Sequence, residues 1–151
     1  MKNRKIDKVK RIALVAHDNR KKVLVEWSRF NKVILEKHLL WATGTTGALL
    51  EKEVGLKVTS LVSGPLGGDS QIGAMITEAK LDFLFFFWDP LAAQPHDTDV
   101  KALLRLAVLW NIPMACNRAT ADFLISSSLM DGEYTRQIID YSNHYNRPIA
   151  G

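Results

Sequence analysis

Residues 63–73 read SGPLGGDSQIG, four glycines and a proline around one aspartate, Asp69. Glycine and proline disfavour the interiors of helices and strands, so the stretch is a turn. Residues 71–78 beyond it read as a helix that starts at once. Asp69 is thereby delivered to a helix N-terminus, where a carboxylate caps free N–H groups and complements the dipole. A cap needs neither Gly67-Gly68 nor Pro65, whereas backbone that must come close to a ligand does. A carboxylate held in this way is suited to taking a proton.

Further residues of the same kind follow other apolar runs. TGTTG, residues 43–47, offers hydroxyls and backbone N–H groups at a strand-to-helix turn. It reads either as a phosphate cradle or as a helix capped by its own threonines. Its spacing matches neither a Walker loop nor a dinucleotide fingerprint. Lys21, within Arg20-Lys21-Lys22, belongs to a solvated face or balances a phosphate dianion. His17 and His96 stand before Asp18 and Asp97 in two such loops, and Asp89 and Asp99 flank the second. Helix capping is the plainer reading of Asp99. No HxxxH or HxH spacing exists, so no metal site is expected. The lone Cys116 reads as a small buried residue rather than a nucleophile, and Trp88 as the one tryptophan at the edge of the site.

Positioning these groups requires a scaffold, and the chain repeats strand, polar loop, helix. Strands are expected over 11–16, 38–42, 57–62, 81–88 and 112–117. The first helix shows an apolar stripe of Val23, Leu24, Trp27, Phe30, Val33 and Ile34, and a later one Val100, Leu103, Leu104, Ala107 and Val108. Alternation at this spacing implies a parallel sheet with helices on both faces. All strand C-terminal ends then share one edge, where ligands bind, and the loops HDNRK, TGTTG, SGPLGGD, WDPLAAQPHDTD and NRATAD gather there. Carboxylates and histidines beside an anion cradle fit proton transfer next to a carbonyl, on a small phosphorylated substrate.

At 151 residues the chain is long enough for one domain with a sizeable core. Residues 1–11 hold six basic side chains against one acid, a net +5, so with a total of +4 the other 140 residues carry −1. The basicity thus belongs to a short leader, residues 1–10, expected to be flexible, and the folded domain to residues 11–151. A basic face for nucleic acid is not expected. The apolar runs 12–16 and 83–88 are too short for a signal peptide or a membrane span, and one cysteine permits no internal disulfide. A cytoplasmic protein is expected.

The motifs VAHDNRK (15–21), ATGTTG (42–47), SGPLGGDSQIGA (63–74), FFWDPL (86–91), PHDTDVKALLRLAVLWNIP (95–113) and ATADF (119–123) closely resemble those of the methylglyoxal synthases, over about residues 11–123. The resemblance implies an α/β fold, a three-layer αβα Rossmann-like domain with a five-stranded central parallel sheet. It implies a homo-oligomer, typically a hexamer, with neither cofactor nor metal. The implied reaction is a phosphate-eliminating lyase step, a bypass of glycolysis that converts dihydroxyacetone phosphate to methylglyoxal and inorganic phosphate through an enediolate, with phosphate as product and candidate inhibitor.

By the same resemblance Asp69 abstracts the C3 proton, His96 polarises the carbonyl, and Asp99 interacts with the catalytic groups. His17, Lys21, Thr43, Gly44, Thr45, Thr46, Ser63 and Gly64 hold the substrate and its phosphate, and Asp18 and Asp89 support the geometry. A carboxylate base with a histidine donor is the pairing triosephosphate isomerase uses on the same enediolate. A synthase differs in letting the bridging C–O bond stand out of the enediolate plane, so that phosphate is expelled. The C-terminal segment 130–151 matches loosely, with Arg147 as a weak candidate for reaching a neighbouring subunit's site. The alternative is a non-catalytic effector-sensing module of the same fold, as in carbamoyl phosphate synthetase; such a module has no use for Asp69, His96 and Asp99 together.

Overall fold

Two apolar runs, residues 12–16 and 83–87, are buried on both faces and so must lie at the centre of a sheet. A computed structural model describes residues 1–91, 98–146, 148 and 149. In chain order its elements are β1 (Lys2–Ile6), β2 (Arg11–Ala16), α1 (Lys21–Phe30), α2 (Lys32–Leu35), β3 (Leu39–Thr43), α3 (Gly44–Val54), β4 (Thr59–Leu61), α4 (Gly68–Thr77), β5 (Phe83–Phe87), α5 (Thr98–Leu109), β6 (Met114–Ala115), α6 (Arg118–Ile125), β7 (Tyr134–Ile138) and α7 (Ser142–Tyr145). Short 3-10 turns at Asp18–Arg20 and Gly64–Leu66 follow β2 and β4.

The five-stranded parallel sheet has the order β4-β3-β2-β5-β6, with Leu14 opposite Ala42 on one side and Phe85 on the other. Alternation along the central strands divides the core between the two faces. Ile12, Leu14, Phe83 and Phe85 pack with Trp27 of α1, Leu50 of α3 and Ile125 of α6. Ala13, Val15, Leu84 and Phe86 pack with Ile72 and Ile76 of α4 and Leu103 of α5. The result is three layers, α/β/α. Strand order reverses between β2 and β5, and the crevice at their C-terminal ends is where such sheets bind ligands.

Several elements differ from expectation. The basic leader is not a free tail: β1 pairs antiparallel with β7, Lys2 opposite Ile138 and Ile6 opposite Tyr134. Ile6 and Ile138 enter the main core, which ties the ribbon to the domain. The first apolar stripe breaks at Asn31, whose side-chain amide donates to the Trp27 carbonyl at 2.9 Å alongside its own backbone N–H. Phe30 and Val33 are consequently exposed, as is Val108 of the later stripe. The fifth expected strand shortens to Met114–Ala115.

The edge of the sheet opposite the loops carries charges that are buried. Asp82 accepts from the Arg11 backbone N–H at 2.8 Å and from its guanidinium at 2.9 and 3.1 Å. Lys10, 1% exposed, donates its ammonium to the carbonyls of Asp7 and Gly132, and Arg136 of β7 donates to the Trp110 carbonyl.

The Lys10 backbone N–H donates to His38 Nδ1 at 2.9 Å. Burial, then the Lys10 and Lys37 ammonium groups, hold the His38 imidazole below its ordinary value, against a smaller opposing pull from Asp131. The unfolded chain therefore binds a proton here more readily than the folded one, so this contribution to stability is full above about pH 6.5 and is lost as pH falls below it. Urea unfolding between pH 7.5 and 5.5 is expected to show a smaller loss of stability in His38→Gln than in the wild type; equal pH slopes would contradict the assignment.

Candidate functional site

A cavity of about 450 Å³ opens at the C-terminal ends of β2, β3 and β4, at the switch point. His17 and Asp18 from the loop after β2 and Lys21 from the first turn of α1 line it. So do Thr43, Thr45 and Thr46 from the start of α3, and Ser63, Gly64 and Asp69 from the loop leading to α4. Loops separated by up to fifty residues of chain are thus brought to one place.

One wall is built for an anion. α3 begins at Gly44 directly after β3, so its first backbone N–H groups have no partner within the helix. Thr43 occupies the capping position without a side-chain capping bond. The threonine hydroxyls therefore do not perform the capping that the sequence allowed as an alternative. Thr46 Oγ1 is buried and has no hydrogen-bond partner among the described residues. Lys21 reaches across from the first turn of α1, donating from Nζ to Thr45 Oγ1 and to Asp18 Oδ1, both at 2.7 Å. An ammonium has three N–H donors, which leaves one beyond these two bonds. Gly44 is placed where a Cβ would lie 3.0 Å from the Ser63 backbone nitrogen, so α3 and the Ser63 loop meet edge to edge.

Asp69, 9% exposed, also lines the cavity, from the first turn of α4. Of the glycines around it, Gly64 lines the cavity, while Gly67 and Gly68 are accounted for by the turn itself. Gly67 takes φ = 104°, a left-handed conformation that suits glycine. A Cβ on Gly68 would stand 2.1 Å from the Val62 carbonyl oxygen and 2.9 Å from Thr43 Cγ2. Gly68 is thus a packing requirement within the protein. The tight turn that results swings α4 back under the end of β4 and fixes where Asp69 points. Gln71 locks the same turn by accepting the Val62 N–H at 2.8 Å.

His17 lines the same cavity. Its ring meets Phe86 edge-on, centroids 5.3 Å apart, and its Nδ1 accepts the Asp89 backbone N–H at 3.1 Å. Asp89 lies behind His17 rather than in the cavity lining, and its carboxylate accepts from Asn19 and from the Leu91 N–H, each at 3.0 Å. These bonds, the Asn19 amide first, hold its carboxyl below the usual carboxylate range. Pro65, marked by sequence as part of the turn, also lines the cavity, as does Asn19, which was not singled out although it sits inside the HDNRK loop that was.

His96 and Arg147 lie outside the described residues, and Asp99 is placed only by its backbone as the second residue of α5. Trp88 packs against the second core cluster and does not line the cavity. Cys116 is half-buried, and burial pushes its thiol up, away from a thiolate. Among the described residues no group of three or more His, Cys, Asp or Glu is gathered for a metal ion. Among them, too, no helix is long and apolar enough to cross a membrane.

Known proteins are similar to this chain in sequence and fold. The MGS-like domain family matches residues 24–116. A methylglyoxal synthase of Leptospira interrogans (serovar copenhageni) is 56% identical over 142 residues, covering 94% of this chain and 96% of that protein. One from Vibrio cholerae serotype O1 is 61% identical over 132 residues, 87% of each chain. The crystal structure of methylglyoxal synthase from Elizabethkingia anophelis NUHP1 superposes with a TM-score of 0.95 at 51% identity, covering 99% of both chains.

Proposed function

The chain belongs to the methylglyoxal synthase family, and from that premise we propose that its cavity converts dihydroxyacetone phosphate to methylglyoxal and inorganic phosphate. The observation that carries this reading is the gathering in one cavity of an anion cradle, with a lysine and a buried hydroxyl that has no partner among the described residues, and a carboxylate, Asp69.

The phosphate sits on the α3 N-terminus with Lys21 and the hydroxyls of Thr45 and Thr46, where helix dipole and ammonium both favour negative charge. Asp69 removes a proton from C3, the hydroxymethyl carbon. The electron pair moves into the C2–C3 bond and the carbonyl oxygen takes up negative charge, stabilised by N–H donors aimed at it. His96, by resemblance, is one of them. In the second step the C3 hydroxyl gives its proton to the departing phosphate and its oxygen closes the aldehyde carbonyl. The C2–C3 π pair moves to C1–C2, the C1–O bond breaks with its electrons going to phosphate, and the enolate of methylglyoxal that is left gains a proton at C1. Phosphate is released from its own cradle, so it inhibits by occupying it.

Exposed apolar residues such as Phe30, Val108 and Phe123 support a homo-oligomer; that it is a hexamer acting in the cytoplasm is what the resemblance to the family implies. The test of function is product stoichiometry. Purified protein with dihydroxyacetone phosphate and EDTA is expected to yield methylglyoxal and phosphate in equal amounts; binding without turnover would favour the effector-sensing module.

Lys21→Met tests the cradle. Losing a charge-assisted bond to phosphate is expected to raise KM, and the inhibition constant for inorganic phosphate, each about 10- to 100-fold. A change in kcat alone would place Lys21 elsewhere in the reaction.

A further inference from the structure

Asn19 belongs to none of the roles assigned above, yet it stands at the start of a short chain of bonds that ends on His17. Its side-chain amide donates to Asp89 Oδ2 at 3.0 Å. The other carboxylate oxygen, Oδ1, accepts the Leu91 N–H at 3.0 Å, with the Arg20 guanidinium 3.9 Å away. Both oxygens are engaged, so the carboxylate cannot rotate and the turn from Asp89 to Leu91 is closed. The backbone N–H of that same Asp89 points at His17 Nδ1, 3.1 Å away.

A ring nitrogen that accepts a hydrogen bond carries no proton. The neutral His17 ring held in this bond therefore has its proton on Nε2. Phe86 packs edge-on against the ring and limits its tilt, and the His17 backbone N–H donates to the Phe87 carbonyl at 3.2 Å. Ring orientation and tautomer are thus set by the same short turn, which Asn19 and Arg20 hold from the opposite side.

We propose that Asn19 is a positioning residue: through Asp89 it fixes His17 as the Nε2–H tautomer, so that this N–H is the donor presented to the substrate oxygens in the cavity. The proposal rests on the triose phosphate reading of that cavity. It adds a residue, and a reason for His17 to act as a donor and not as a base. Donors aimed in advance at developing negative charge lower the barrier without reorganising during the reaction.

The experiment compares wild type with Asn19→Asp, which sets two carboxylates against each other, and Asn19→Leu, which removes the donor at similar volume. Leu also serves if the Asp variant fails to fold. Long-range 15N–1H spectra of the histidine rings, with His17 assigned by its loss in His17→Gln, report the tautomer without any need for turnover. The wild type is expected to show His17 protonated on Nε2, and the variants a mixture with the Nδ1–H form. Turnover of dihydroxyacetone phosphate is expected to fall about 10- to 100-fold in kcat, with KM within about threefold, because a misplaced donor costs the transition state more than binding.

An unchanged ring spectrum in both variants overturns the proposal, whatever the activity does. A changed spectrum with kcat kept within twofold overturns its functional half. Absence of turnover by the wild type removes the reading of the cavity and the proposal with it, while the ring spectra still report on the clamp itself.

Discussion

Replacing Asp69 by asparagine is expected to lower kcat/KM for dihydroxyacetone phosphate by about 10³-fold or more, with the loss in kcat. Asparagine keeps the shape of the side chain, so the turn and the start of α4 stay as they are. What disappears is the carboxylate proposed to take the proton. The carboxylate is 9% exposed and lies across Gly64, where a Cβ would stand 3.8 Å from each of its oxygens. Substrate binding is expected to survive, since the proposed phosphate cradle is made by α3 and Lys21 and not by Asp69. Steady-state kinetics beside a direct binding measurement separates the two. A variant that turned over within tenfold of the wild type would show that another group removes the proton.

The second large effect is on stability and falls on Gly68→Ala. One methyl group there would have to occupy space 2.1 Å from the Val62 carbonyl oxygen, 2.9 Å from Thr43 Cγ2 and 3.1 Å from the Ser63 carbonyl carbon. Two of those three neighbours are backbone and cannot turn aside as a flexible side chain does. Val62 is held by its N–H bond to Gln71, and the Ser63 carbonyl accepts from Leu66 and Gly68 at 3.0 Å. The turn must therefore open, which is expected to cost about 3 kcal/mol. Opening it also moves Asp69, so residual folded protein is expected to have lost most of its kcat. Gly67→Ala supplies the contrast: nothing lies within 4 Å of its added Cβ, and the cost is confined to φ = 104°. If Gly68→Ala unfolded at the wild-type denaturant concentration, the packing argument for that glycine would be wrong.

These two residues show how the motif could be located from sequence while the purpose of its glycines was not. Glycine and proline around an aspartate mark a turn whose cause is local and therefore legible. Whether a glycine faces a ligand or the protein's own backbone depends on β4, α3 and their separation, which no local pattern records. The parallel strands were legible for the same reason: β2 and β5 are buried on both faces and leave uninterrupted apolar runs.

β1 and β7 left no such trace. Their outward positions are polar, and the groups that they and the following loop bury include Arg136 and Lys10, residue types that read as surface. Phe30 and Val33 misled in the opposite sense, continuing an apolar stripe on to the surface. In the site, the loop residues were legible because strand ends converge on one edge. The Asn19–Asp89 bond, spanning seventy residues of chain, was not, because it joins two loops whose spacing the fold alone sets.

The central claim is that one cavity both removes a proton from a triose phosphate and expels its phosphate. Product NMR in D₂O tests it most directly. The reaction proposed takes the C3 proton to Asp69 and returns a solvent hydron to C1, so methylglyoxal is expected to form in equal amount with phosphate, carrying one deuterium in its methyl group and a protium on its aldehyde carbon. Formation of an aldehyde that keeps its phosphate, with deuterium beside the new carbonyl, would instead mean isomerisation, and would contradict the account.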